Sequence, residues 1–154
     1  MVADDRLAHA RAAAASVPDP EIPALTIEDL GMLHDVTLCG DTVEVAITPS
    51  YLGCPATVPI AQDVVAALAR AGFPHARVRT VLAPPWSSDR ITAAGRRKLA
   101  ESGIAPPDRA LRQPICPRCG SGQTEQISAF GATPCKALHR CLACREPFEA
   151  FKCH

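Results

Sequence analysis

The chain has 154 residues, 47% of them hydrophobic and 21% charged, with 16 Lys and Arg set against 16 Asp and Glu. That length supports one hydrophobic core and a small satellite that needs its own staple, and charge neutrality removes the field that draws a protein to nucleic acid or an anionic membrane. No run approaches the roughly 20 apolar residues needed to span a bilayer, and the start, with Asp4 and Asp5 ahead of an alanine stretch, lacks a secretory signal's basic-then-apolar form; the expectation is a cytoplasmic protein with neither a nucleic-acid nor a membrane partner.

Asp4 to Ser16 combines Ala and Arg with acids at its start, which predicts a short helix. Pro18, Pro20 and Pro23 then forbid regular helix until Thr26, an N-cap for one turn ending at Gly31. His34 to Cys39 and Thr42 to Thr48 read as a hairpin across Gly40 and Asp41, because Val43, Val45 and Ile47 recur at the strand period of two. After a loop holding Cys54, the positions Ile60, Val64, Val65 and Leu68 recur at helical spacing, and Gly72 supplies the stop. Arg77 to Leu82 is a third strand, ended by Pro84 and Pro85 before Trp86. Ser87, Ser88 and Asp89 are caps for a further helix that carries Ile91 and Leu99 and stops near Gly103.

Gly103 to Pro114 is proline-rich and weakly periodic, the composition of a linker. Beyond it lie short β-like pieces at Glu125 to Phe130 and Phe148 to Lys152, with too few large apolar residues to order the segment by packing alone. The expected fold class is α+β: a three-stranded or larger mixed sheet with packed helices over residues 1–105, a linker at 106–114, and a metal-stapled ribbon at 115–154.

The staple is legible in the spacing. Cys116 and Cys119, and Cys141 and Cys144, form two C-x2-C knuckles separated by twenty-one residues. Two thiolates separated by two residues can turn toward one centre, and two such loops supply the four sulfurs of a tetrahedral zinc site. Gly120 suits the turn that aims backbone N–H groups at the sulfurs. A reducing compartment favours zinc here over two disulfides, and zinc is also favoured over iron. Cys135, Cys153, His139 and His154 lie nearby without a spacing that specifies a second site, and packing or exposure accounts for them.

Cys54 sits between a strand and a helix, with Pro55 at the first helical position if the helix begins there. The residues leave two readings open: a thiolate favoured by the helix dipole, or a small buried hydrophobe. Asp19, Glu21, Glu28 and Asp29, in or beside the proline-rich loop, read either as oxygen ligands and general bases or as caps and solvated charges. His34, His75 and Cys39 have no partner motif and read as structural. There is no G-x-S-x-G elbow, Walker loop or dinucleotide fingerprint, so an independent enzyme is not expected.

Several segments together, DPEIPALTIEDLGML, ITPSYLGCPA, LAPPWSSD, GRRKLAESGIAPP and CKALHRCLACREPFEAFKCH, resemble the family of D subunits of the phenylacetyl-CoA epoxidase system, PaaD. The first domain is similar to the wider family of SufT-like iron–sulfur assembly factors, whose acidic loop and pre-helix cysteine correspond here to Asp19, Pro20, Glu21 and Cys54. Relatives carry a second Trp soon after the Trp86 motif, where this chain has Arg90. The resemblance implies a noncatalytic accessory role in aerobic phenylacetate degradation, with Cys54 as the functional thiol and Asp19 and Glu21 beside it. It further implies structural zinc, transient iron or an iron–sulfur cluster, and the oxygenase and [2Fe–2S] reductase components as partners. A structural adaptor subunit is the alternative, and a homo-oligomer is compatible with either.

Overall fold

A computed structural model describes residues 2–51 and 53–153. The chain divides into two compact units, with the boundary in sequence between Trp86 and Ser87.

In the first unit, α1 (Ala3–Ala15) leads into a long loop, followed by β1 (Leu33–Cys39), β2 (Thr42–Ile47), α2 (Thr57–Arg70) and β3 (His75–Thr80). The sheet order is β1-β2-β3, antiparallel between β1 and β2 and parallel between β2 and β3. It is therefore the expected three-stranded sheet in mixed form, the parallel step being made by the α2 crossover. Val43, Val45 and Ile47 are fully buried from β2, and Ile60, Val64 and Leu68 from α2. Each such side chain contributes about 1.5–3 kcal/mol by leaving water. Val65, at the edge of the apolar stripe, stays on the surface. The small residues Ala10 and Ala14 are the buried face of α1, which packs on α2 and β1. His9 is exposed, its Nε2 lying 3.2 Å from the Ala71 carbonyl and its ring 5.8 Å from that of Phe73.

The proline-rich loop is ordered by its own apolar residues. Ile22, Leu25, Ile27, Leu30 and Met32 are all buried, and backbone bonds from Asp19 N–H to Leu25 O (2.8 Å) and from Ile27 N–H to Val17 O (2.9 Å) close it. Thr26 begins the expected turn as half of a capping box. Its Oγ1 accepts from Asp29 N–H at 3.1 Å, and the Asp29 carboxylate accepts from Thr26 N–H at 2.9 Å. Gly31 ends the turn at φ 69°, as glycine permits. Trp86 is buried, and its indole N–H donates to Leu30 O at 2.8 Å.

The second unit begins with a 3-10 turn (Ser88–Arg90) capped by Ser87, then α3 (Ala93–Glu101), β4 (Ile104–Ala105), β5 (Thr124–Ser128), β6 (Lys136–Cys141) and β7 (Pro147–Phe151). Thr92, not Ser87, caps α3, accepting from Gly95 N–H at 3.0 Å. The sheet order is β4-β7-β6-β5, with β4 parallel to β7 and the others antiparallel. Residues 87–105 thus pack with the ribbon, although composition groups them with the first domain. Residues 106–114 are anchored to that unit too: the Arg96 guanidinium donates to Pro107 O and, at 2.9 Å, to Ser88 O, while Thr124 Oγ1 donates to Pro114 O at 2.7 Å.

Candidate metal centre

The two cysteine knuckles are built alike. In the first, Gly120 N–H donates to Cys116 O at 2.9 Å and Cys116 N–H to Ser121 O at 2.9 Å. In the second, Arg145 N–H donates to Cys141 O at 3.1 Å and Cys141 N–H to Glu146 O at 3.0 Å. The residue after the second cysteine is left-handed in both, at φ 77° for Gly120 and φ 70° for Arg145. Only the first of these was foreshadowed by a glycine. The knuckles are tied together by Leu142 N–H, which donates to Gln123 O at 2.8 Å.

This geometry gathers Cys116, Cys119, Cys141 and Cys144, whose sulfurs all lie within 4.8 Å of one another. Cys116 Sγ is 3.8 Å from Cys144 Sγ, and Cys119 Sγ is 3.5 Å from Cys141 Sγ. A tetrahedron with metal–sulfur bonds of about 2.3 Å has edges of about 3.8 Å, so the four thiols fit a thiophilic tetrahedral ion as they stand. Cys116 and Cys141 are buried in a small apolar cluster with Ala105, Phe148 and Ala150, which walls one side of the centre.

The local electrostatics favour thiolates unevenly. The Cys144 backbone N–H, 3.4 Å from Cys141 Sγ, leads the effects that lower the Cys141 thiol to about 6. At Cys144 the Glu146 N–H favours the thiolate, but burial and three neighbouring sulfurs outweigh it and push the thiol up to about 12. Four sulfurs at this separation cannot all ionise without a cation between them, so the quartet is chemically a cation site. The amides of Ala143, Cys144 and Glu146 are, in the second knuckle, the kind of backbone donor expected around the sulfurs, at a turn that no glycine marked.

The nearby residues do not extend the quartet. Among the described residues, no other group of three or more Cys, His, Asp or Glu ligand atoms gathers at comparable range. Cys135 is buried, its Sγ 3.0 Å from Thr133 Oγ1. His139 stacks on Phe148 at 5.8 Å, and burial lowers its pKa. His139 and Cys153 both line a cavity of about 220 Å³ together with Pro107, Leu111 and Pro114. His154 lies outside the described residues.

In the first unit, Cys54 is buried at 7% exposure. Its N–H donates to Tyr51 O and its O accepts from Thr57 N–H, each at 3.2 Å. Helix α2 starts at Thr57 with Ala56 as its N-cap, so Pro55 belongs to the preceding turn and not to the first helical position. The end is without a side-chain cap or an acid in its first turn, which leaves its positive dipole uncompensated by either. Asp19 is buried, and its Oδ1 accepts from both Glu21 N–H and Ile22 N–H at 2.8 Å. Asp29 serves the capping box, and Glu28 pairs with Arg11 at 3.7 Å on the surface.

Comparison with known proteins agrees with both halves. Residues 105–152 match the family described as the PaaD zinc beta ribbon domain, and residues 8–83 match the family described as iron-sulfur cluster assembly protein. A domain of unknown function from Bacillus anthracis has a similar fold, at TM-score 0.58 and 27% identity over 62% of this chain and 92% of that one. A conserved hypothetical protein from Thermotoga maritima gives TM-score 0.50 and 25% identity over 64% and 94%. No described helix is long and apolar enough to cross a membrane. A protein of Escherichia coli strain K12, provisionally named as the D component of 1,2-phenylacetyl-CoA epoxidase, is 47% identical over 143 residues, covering 89% of this chain and 87% of its own. At that identity over nearly the full length of both proteins, the chain belongs to the PaaD family, the D subunits of the phenylacetyl-CoA epoxidase system.

Proposed function

We propose that this chain is a cytoplasmic accessory maturation factor for the phenylacetyl-CoA epoxidase system, handling iron or an iron–sulfur cluster destined for its [2Fe–2S] reductase component. The observation that carries the proposal is the division of the thiols. Four are committed to one compact quartet in the ribbon unit. Cys54 stands apart, in the domain that matches the iron–sulfur assembly family. Zinc is the ion assigned to the quartet, where it holds the ribbon folded and takes no part in transfer.

In this reading Cys54, in the turn that precedes α2, is the soft ligand that receives iron. The Asp19 and Glu21 loop supplies the harder oxygen donors. The protein needs no chemistry of its own beyond holding and releasing the cargo. Cys54→Ala should leave folding and zinc content unchanged while lowering cluster occupancy in the co-expressed reductase. Normal occupancy would eliminate this function.

A second reading is a noncatalytic adaptor within the oxygenase assembly. The burial of Cys54 and the backbone bonds accepted by Asp19 favour it, since both are features of residues that hold a loop. Stable, stoichiometric co-purification with the oxygenase that is insensitive to Cys54→Ala would establish the adaptor.

A further inference from the structure

β3 is the outer strand of its sheet. Just beyond it, Val81 N–H donates to Ile47 O of β2 at 2.8 Å. With a strand period of two, the backbone groups of Arg77 and Arg79 then turn toward β2, and those of Ala76, Val78 and Thr80 turn to the open edge. The side chains divide the same way. Val78 shares a shallow groove with Ala61, Gln62 and Val65 of α2, and Val58, 65% exposed, extends this stripe by about one turn. Arg77 and Arg79 occupy the other face, where Arg79 pairs with Glu44 at 2.8 Å. Arg77 is exposed and stands opposite Glu44 in the β2–β3 register.

Edge strands are commonly blunted by charge, but here the charge has one sign: His75, Arg77 and Arg79 share β3 with no acid. Antiparallel addition of a second copy along β3 would bring arginines close to arginines, which disfavours self-pairing. An incoming strand that carries carboxylates on that face meets the opposite condition. Its alternate residues would project toward the groove of Val65 and Val78, which suits apolar side chains.

We propose that the open edge of β3, together with the Val58, Ala61 and Val65 stripe of α2, docks an extended segment of a partner protein in which acidic residues alternate with apolar ones. This surface is independent of the fate of Cys54. The test uses the full-length, zinc-loaded protein and two fluorescein-labelled peptides, one alternating glutamate with valine and the other alternating lysine with valine. Fluorescence anisotropy should show the acidic peptide binding roughly tenfold more tightly. Arg77→Glu should reverse that order. Val78→Pro, which removes an outward N–H that the sheet itself does not need, should abolish binding, and hydrogen exchange should show Ala76, Val78 and Thr80 protected by the acidic peptide. Equal affinity for the two peptides, or an unchanged preference in Arg77→Glu, would overturn the proposal whether or not Val78→Pro folds. A concentration-dependent dimer that Val78→Pro dissociates would overturn it in favour of a second copy.

Discussion

The sulfurs of Cys119 and Cys141 lie 3.5 Å apart, although one belongs to the first knuckle and the other ends β6. Thiols brought this close across the ribbon suit a shared cation once ionised, and the sheet around them is small. Chelation of the purified, reduced protein should release one kind of transition metal and unfold the ribbon while leaving the first unit folded. Cys141→Ser should do the same, because structural zinc supplies on the order of 10 kcal/mol to folds of this kind. Elemental analysis and amide exchange resolved between the two units check the outcome; ribbon protection that survives complete metal removal would contradict it.

The left-handed position after each knuckle provides an internal comparison. Gly120→Ala should destabilise the metal-loaded protein by about 1–2 kcal/mol, and Arg145→Gly should stabilise it by up to about 1 kcal/mol, since both sites have positive φ but only one carries a Cβ. Thermal unfolding of the two variants beside the parent measures both changes. Shifts of the same sign would mean that the knuckles are not equivalent.

Asp19 separates loop architecture from iron handling. Asp19→Ala leaves the buried N–H of Ile22 and the half-buried N–H of Glu21 without their acceptor and should cost about 1–3 kcal/mol. Asp19→Asn keeps a carbonyl oxygen there and should cost much less. If the carboxylate charge also serves iron, Asp19→Asn will fold normally yet lower reductase cluster occupancy. Normal occupancy confines the residue to its turn.

The gathering of Cys116, Cys119, Cys141 and Cys144 was legible in the sequence, because C-x2-C spacing encodes a local geometry that distant packing does not alter. The hairpin and α2 were also legible from their periodicities. β6 escaped because its sequence, KALHRC, does not alternate: Lys136 and His139 are buried, Lys136 through a 3.4 Å pair with Glu149. β4 escaped because its two residues are defined only by pairing with β7 across more than forty positions. Asp19, Glu21 and Cys54 were singled out by resemblance, since their spacing alone encodes turns and caps. The turns are what the structure displays at Asp19 and before α2.

The anchoring of residues 87–114 alongside the ribbon sets the limits of any portable version of this metal knot. A fragment cut at Ile115 would leave behind the strand that borders β7 and the acceptor of the Thr124 hydroxyl, exposing Ala150 and Phe148 on its raw flank. Transplanting the knot onto another carrier therefore means excising from Ser87 onward.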